Sequence, residues 1–198
     1  MYTNGESATY QQDFWLFGYG SLIWKPPPHF DRRVPGYIDG FVRHTHASSE
    51  DHRGTPEDPG RVVTLIDKSF WETVWGAAYH IIPENVEEVK AYLDIREING
   101  YSIQYTDFQP AEQTLPVIKC LVYIGMPDNP QFLGALQPED VAEKINQSRG
   151  PSGENRDYLL NLEQALLELS PGSKDQHISD LAARVRGMAR PDRSVLRG

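Results

Sequence analysis

Apolar and polar positions change their rhythm near residue 125 of this 198-residue chain. Before that point the apolar residues come in short runs. Phe14-Trp15-Leu16-Phe17 ends at Gly18 and predicts a buried strand. Gly36 to Arg43 alternates loosely and predicts another. Arg61 to Ile66 and Thr73 to Ile82 are rich in β-branched and aromatic residues, as strands are. Tyr101 to Phe108 and Val117 to Ile124 complete the set. One helix interrupts the strands. It starts at Pro83, carries Val86, Val89 and Leu93 at helical spacing, and should end before Gly100. Lys25-Pro26-Pro27-Pro28-His29 fits neither helix interior nor central strand, because its prolines lack an N–H. Asp51 to Gly60 is broken by glycine and proline and reads as a loop.

Beyond Asp128 the period becomes helical. Pro138 to Ser148 turns on Val141 and Ile145. Asn155 to Leu169 places Tyr158, Leu162, Ala165, Leu166 and Leu169 on one side. Pro171-Gly172 stops that helix, and Gln176 to Met188 forms a last one. Strands first and helices afterwards is an α+β order, not an alternating βαβ one. There is no repeat, low-complexity tract or dividing linker. The expected organisation is a polar, flexible N-terminus over 1–12 and a single domain over 13–198.

Charge narrows the field. With 28 acidic and 19 basic side chains the formal net charge is -9. Such a chain repels phosphate backbones, so neither nucleic acid nor an anionic membrane is the expected partner. No apolar run reaches the length of a membrane span. A single cysteine, Cys120, leaves no internal disulfide framework and points to a reducing, cytoplasmic setting. Cys120 alternates with Ile118, Val122 and Ile124, which predicts a buried, inert thiol.

Several groups could carry chemistry. In Gly18-Tyr19-Gly20-Ser21-Leu22-Ile23, two glycines permit a tight turn whose N–H groups suit a carboxylate; a plain strand-end turn is the alternative. Ile23 and the prolines that follow exclude a dinucleotide fingerprint. Glu97 sits at the expected C-terminus of the Pro83 helix, beside Tyr101. An acid held against that end of the dipole is a candidate general base, although a solvated Glu at a fraying end is the commoner outcome. His44 and His46 share a strand face and, with His52, are a candidate metal set; exposed or hydrogen-bonded histidines are more usual. Arg53 and Arg61 flank the Asp51–Gly60 loop and could bind a substrate carboxylate or simply pair with Glu57 and Asp58. Ser21 lacks the setting of a hydrolase nucleophile.

Taken in order, these segments resemble the ChaC-type γ-glutamylcyclotransferases. The resembling blocks are Phe17-Gly18-Tyr19-Gly20-Ser21-Leu22-Ile23-Trp24, Asp51-His52-Arg53-Gly54-Thr55-Pro56, Pro59-Gly60-Arg61-Val62-Val63-Thr64-Leu65 and Trp75-Gly76. They continue through Tyr92-Leu93-Asp94-Ile95-Arg96-Glu97 with Gly100-Tyr101, Val122-Tyr123-Ile124-Gly125, Asp128-Asn129-Pro130 and Gly150-Pro151-Ser152-Gly153. The resemblance implies a small mixed β-barrel flanked by helices. It implies cleavage of glutathione to 5-oxoproline and cysteinylglycine, without metal or organic cofactor. It also implies that Glu97 is the acid/base and that Gly18 to Ile23, with Arg53, Arg61 and Tyr123, bind the substrate.

The chain departs from the family pattern at Ala135, where a proline is usual after Leu133-Gly134, and over one longer stretch. After Gly40-Phe41 the family usually carries two arginines, phenylalanine, tryptophan and glutamine. Here the stretch is Arg43-His44-Thr45-His46-Ala47. Smaller groups near the cleft would admit a bulkier substrate, such as a glutathione S-conjugate in a fungal-type secondary pathway. A non-catalytic γ-glutamyl-binding module and a histidine-based metallohydrolase are the alternatives of other classes.

Overall fold

The computed structural model describes residues 13–68, 71–96, 101–125, 129, 131–134 and 136–191. The expected flexible segment, 1–12, lies outside them. Strand β1 (Phe14–Gly18) pairs antiparallel with β5 (Thr73–Ile81), which pairs antiparallel with β2 (Phe30–Asp39). The ladder continues through β6 (Tyr101–Pro110) to β7 (Ile118–Gly125). A parallel pairing at Leu16 and Leu121 then joins β7 back to β1. The result is a closed barrel in the order β1-β5-β2-β6-β7. Phe17 and Phe108 fill it, fully buried with their rings 5.6 Å apart. Gly36 and Gly76, directly opposite each other on β2 and β5, make the room. A Cβ on Gly36 would lie 2.4 Å from the Phe108 ring, and one on Gly76 2.6 Å from the Phe17 ring.

The predicted strand from Gly36 to Arg43 is in fact two. Gly40 has a φ of +85°, a left-handed conformation that glycine adopts at little cost. Its N–H donates to the Glu72 carbonyl at 2.9 Å and its carbonyl accepts from the Lys68 N–H at 2.8 Å. The chain leaves the barrel there and enters a separate antiparallel ribbon, β3 (Phe41–Ser49) with β4 (Gly60–Asp67). Between His44 and Ala47 the register slips, so β3 carries a bulge.

After Pro83–Asn85, a single 3-10 turn, comes α1 (Val86–Arg96), which buries Val89 and Leu93 as its spacing predicts. The C-terminal helices are α2 (Pro138–Gln147), α3 (Asn155–Leu169) and α4 (Gln176–Gly187). Between α2 and α3 lies a hairpin of two short strands that the pattern does not predict, β8 (Arg149–Gly150) and β9 (Gly153–Glu154). Asn155, at the start of α3, is fully buried. Its amide accepts from the Arg61 N–H at 2.6 Å and donates to the Arg61 carbonyl at 2.8 Å, which ties α3 to β4. The fold is α+β, a small mixed barrel flanked by helices, as expected. No helix among the described residues is long and apolar enough to cross a membrane.

Candidate active site

The turn after β1 is held from outside. Ser21–Ile23 form one turn of 3-10 helix, closed by Ile23 N–H to the Gly20 carbonyl (3.0 Å) and by the N–H groups of Trp24 and Lys25 to that of Ser21 (3.2 and 2.8 Å). The remaining carbonyls are taken by side chains. Arg43 Nε donates to Tyr19 at 2.9 Å, the Tyr79 hydroxyl to Leu22 at 2.7 Å and Arg33 to Ile23 at 3.3 Å. Every carbonyl from Tyr19 to Ile23 is therefore engaged, while the N–H groups that open such a turn have no acceptor within it. Gly20 sits at φ -121°, so it needs no left-handed conformation. What it needs is space: a Cβ there would meet Val63 at 3.2 Å and the Tyr158 hydroxyl at 3.4 Å.

This turn lines a cavity of about 460 Å³. Tyr19, Gly20, Ser21 and Leu22 form one part of the wall, and Arg53 and Tyr123 meet them there. The Tyr19 hydroxyl donates to the Tyr123 carbonyl at 2.8 Å, fixing the turn to β7. Arg53 is 6% exposed. It donates to the Glu154 carbonyl at 3.0 Å, and its guanidinium lies 5.6 Å from the centre of the Tyr158 ring. His52 Nδ1 and the Ser152 hydroxyl are 3.1 Å apart, and the Ser152 N–H donates to the His52 carbonyl at 2.9 Å, so the two loops reach the cavity together. Ser48, Ser49, Tyr92, Gln131 and Tyr158 also line it, and the sequence reading did not propose them as site residues. Tyr158 is legible only as part of the apolar face of α3 and Tyr92 only as part of a resembling block; Ser48, Ser49 and Gln131 carry no local signal.

Three residues expected in the site stand outside the lining. Gly18 is packed behind the turn, where a Cβ would lie 2.6 Å from that of Leu22. Ile23 is 4% exposed and belongs to the core. Arg61 folds onto its own chain, donating to the carbonyls of Pro59 (3.2 Å) and Gly60 (3.0 Å), and burial pulls its pKa down. Asp58 pairs with Lys144 rather than with either arginine. Glu97 lies outside the described residues.

The stretch that departs from the family pattern is not at the cavity either. Thr45, His46 and Ala47 are absent from its lining. His44 stacks on His46 (ring centres 4.7 Å apart) and packs against His177 of α4 (4.4 Å), with His52 elsewhere, in the cavity wall. At the bulge the Thr45 N–H donates to His177 Nε2 at 3.3 Å. Among the described residues no group of three or more His, Cys, Asp or Glu is placed to hold a metal. The altered stretch thus repacks the ribbon against α4, and the enlarged-pocket expectation loses its premise. Cys120 is buried as expected, its thiol pushed up to about 12 by burial.

The family model of ChaC-like proteins matches residues 14–188. The chain belongs to the ChaC-like family. This ChaC-like chain is similar to the glutathione-specific gamma-glutamylcyclotransferase of Schizosaccharomyces pombe, with 42% identity over 87% of this chain and 92% of that protein. It is similar to gamma-glutamylcyclotransferase 2-3 of Arabidopsis thaliana, with 45% identity over 87% and 88%. Among solved structures it resembles a gamma-glutamyl cyclotransferase specific to glutathione from yeast, with a TM-score of 0.82, 33% identity, and 88% and 96% of the two chains covered. The ChaC-like blocks spread over the sequence are the ones that converge: the Tyr19–Leu22 turn, Arg53, Tyr123 and Ser152 share one wall.

Proposed function

We propose that this chain is a glutathione-specific γ-glutamylcyclotransferase that releases 5-oxoproline and cysteinylglycine. One observation carries the reading. The Tyr19–Leu22 turn, Arg53 and Tyr123 line a single cavity, in a chain that matches enzymes of that name over most of both lengths. The substrate brings its own nucleophile. The α-amine of a γ-glutamyl amide lies at the right distance from its γ-carbonyl to close a five-membered ring. At neutral pH that amine is mostly protonated and inert. The protein must take a proton and hold the chain bent into a near-attack conformer, an arrangement that contributes about 7–11 kcal/mol in ideal intramolecular cases.

In this reading the opening N–H groups of the turn hold the glutamyl α-carboxylate. Glu97 accepts one proton from the ammonium, and the freed amine attacks the γ-carbonyl carbon. Glu97 passes that proton to the leaving nitrogen as the amide C–N bond breaks. The ring nitrogen then gives up its second proton through Glu97, so 5-oxoproline leaves as a neutral lactam and cysteinylglycine carries the proton away as its ammonium. No acyl-enzyme forms, and Ser21 positions without attacking. The setting we propose is cytoplasmic, where a free, buried cysteine such as Cys120 is ordinary.

The test is incubation with glutathione and chromatographic detection of 5-oxoproline. Glu97→Gln keeps the shape of the side chain but cannot take the proton. It is expected to lower kcat by about 10²–10⁴-fold with KM little changed. A variant that keeps more than about a tenth of the wild-type kcat removes Glu97 from the base role. A wild-type protein that binds glutathione and releases no 5-oxoproline is a binding module instead.

A further inference from the structure

Among the described residues the cavity wall carries one arginine and one lysine, and they are held differently. Arg53 is buried and engaged by the Glu154 carbonyl. Lys25 is exposed and lines the same cavity, so it stands at the mouth. Its backbone is fixed, because its N–H closes the turn on Ser21 at 2.8 Å. Its ammonium, by contrast, has no hydrogen bond or ion pair among the described residues. Among the described residues the one carboxylate in the wall is Asp51, which lies 3.9 Å from His52. A free ammonium at the mouth of a pocket is a site for an anionic group that arrives with the ligand.

Glutathione carries a carboxylate at each end. If the glutamyl end is seated on the opening N–H groups of the turn, the leaving dipeptide points outward and its terminal carboxylate must be met elsewhere. We propose that Lys25 binds the free C-terminal carboxylate of the leaving peptide. It thereby selects γ-glutamyl peptides short enough to place that carboxylate at the mouth. This rests on the cyclotransferase reading above. Lys25 is a specificity residue in this scheme, and it takes no part in bond-making. The interaction is exposed, so salt must screen it.

The experiment compares wild type, Lys25→Met and Lys25→Arg on two substrates: glutathione, and glutathione whose glycine carboxylate is converted to the amide. Release of 5-oxoproline is measured at low salt and at high salt. Lys25→Met is expected to lower kcat/KM for glutathione about tenfold (about 1.4 kcal/mol), mainly through KM, and Lys25→Arg to restore most of it. The amide is expected to be a poorer substrate for wild type by a similar factor and to be handled equally by wild type and Lys25→Met. Salt is expected to weaken the reactions of wild type and Lys25→Arg with glutathione, and neither those of Lys25→Met nor those of the amide. An equal loss on both substrates would put Lys25 on the glutamyl carboxylate and overturn the proposal. No loss on either substrate would also overturn it. A wild-type protein that releases no 5-oxoproline from either peptide would sink the cyclotransferase reading itself.

Discussion

His44, His46 and His177 form a cluster whose neutral state the fold requires. Burial pulls all three down; for His46 and His177 the pKa falls to about 4, helped by the positive charge each ring would feel from its neighbours. The Nδ1 atoms of His44 and His46 have no partner among the described residues. His177 Nε2 is occupied as the acceptor for the bulge at Thr45, which only the unprotonated nitrogen can be. In the unfolded chain these rings take protons near pH 6.5, whereas in the folded one His46 and His177 wait until about 4. Between those values the unfolded state holds more protons, so stability rises with pH across the window and is lost as pH falls through it. The limiting slope is about 1.4 kcal/mol per pH unit for each histidine, less what solvent screening removes from partly exposed rings. Thermal melts between pH 7 and pH 4 should show a falling Tm. The double variant His46→Gln with His177→Gln should flatten that slope while keeping an acceptor for Thr45. A variant with the wild-type slope would assign the acid lability to other groups.

Helix α4 is wired to the cavity by a pair of side chains, Asp175 and Arg43. Asp175 Oδ1 accepts from the Ile178 N–H at 3.1 Å and caps the helix, while Oδ2 receives Arg43 at 2.7 Å. Arg43 is 3% exposed and reaches on to the Tyr19 carbonyl. Asp175→Ala therefore removes a cap, worth about 1 kcal/mol, and strands a buried guanidinium, at about 3–5 kcal/mol. Urea titration should show a loss of that combined order, accompanied by a raised KM as the turn loosens. The paired change Arg43→Met with Asp175→Leu should recover much of the stability but not the KM. If Asp175→Ala costs less than about 1 kcal/mol, the pair contributes little to either function. Neither half of this link was visible beforehand, because Arg43 and Asp175 meet across most of the chain. What was legible followed local periodicity: β1, β4 and β5, α1 and the three C-terminal helices each declared themselves by spacing. The break at Gly40 did not, because the alternation runs through it and only tertiary pairing shows that β2 and β3 belong to different sheets. The hairpin β8–β9 is too short to have a period. The site divides in the same way. The contiguous turn could be read, whereas Ser48, Gln131 and Tyr158 join it one residue at a time from distant segments.

On the scale of the whole molecule, the barrel is built mostly from antiparallel neighbours, yet its last seam is the parallel one between β1 and β7. Its two sides are more than half the chain apart. A seam of that separation costs loop entropy before it gives anything back, so refolding after dilution from urea should fall in the millisecond-to-second range. Trp15, 8% exposed on β1 itself, supplies a fluorescence signal for closure. Submillisecond recovery of that signal would mean that closure is not the slow step. The same seam has a consequence during synthesis. Until β7 has emerged from the ribosome, the first strand made and the sixth each present an unpaired edge of N–H and C=O groups. Those are the edges through which nascent chains join one another. The earliest-made part of this protein must therefore wait for a late strand before it is safe from its own copies, and slowing translation just before residue 118 should lower the soluble yield.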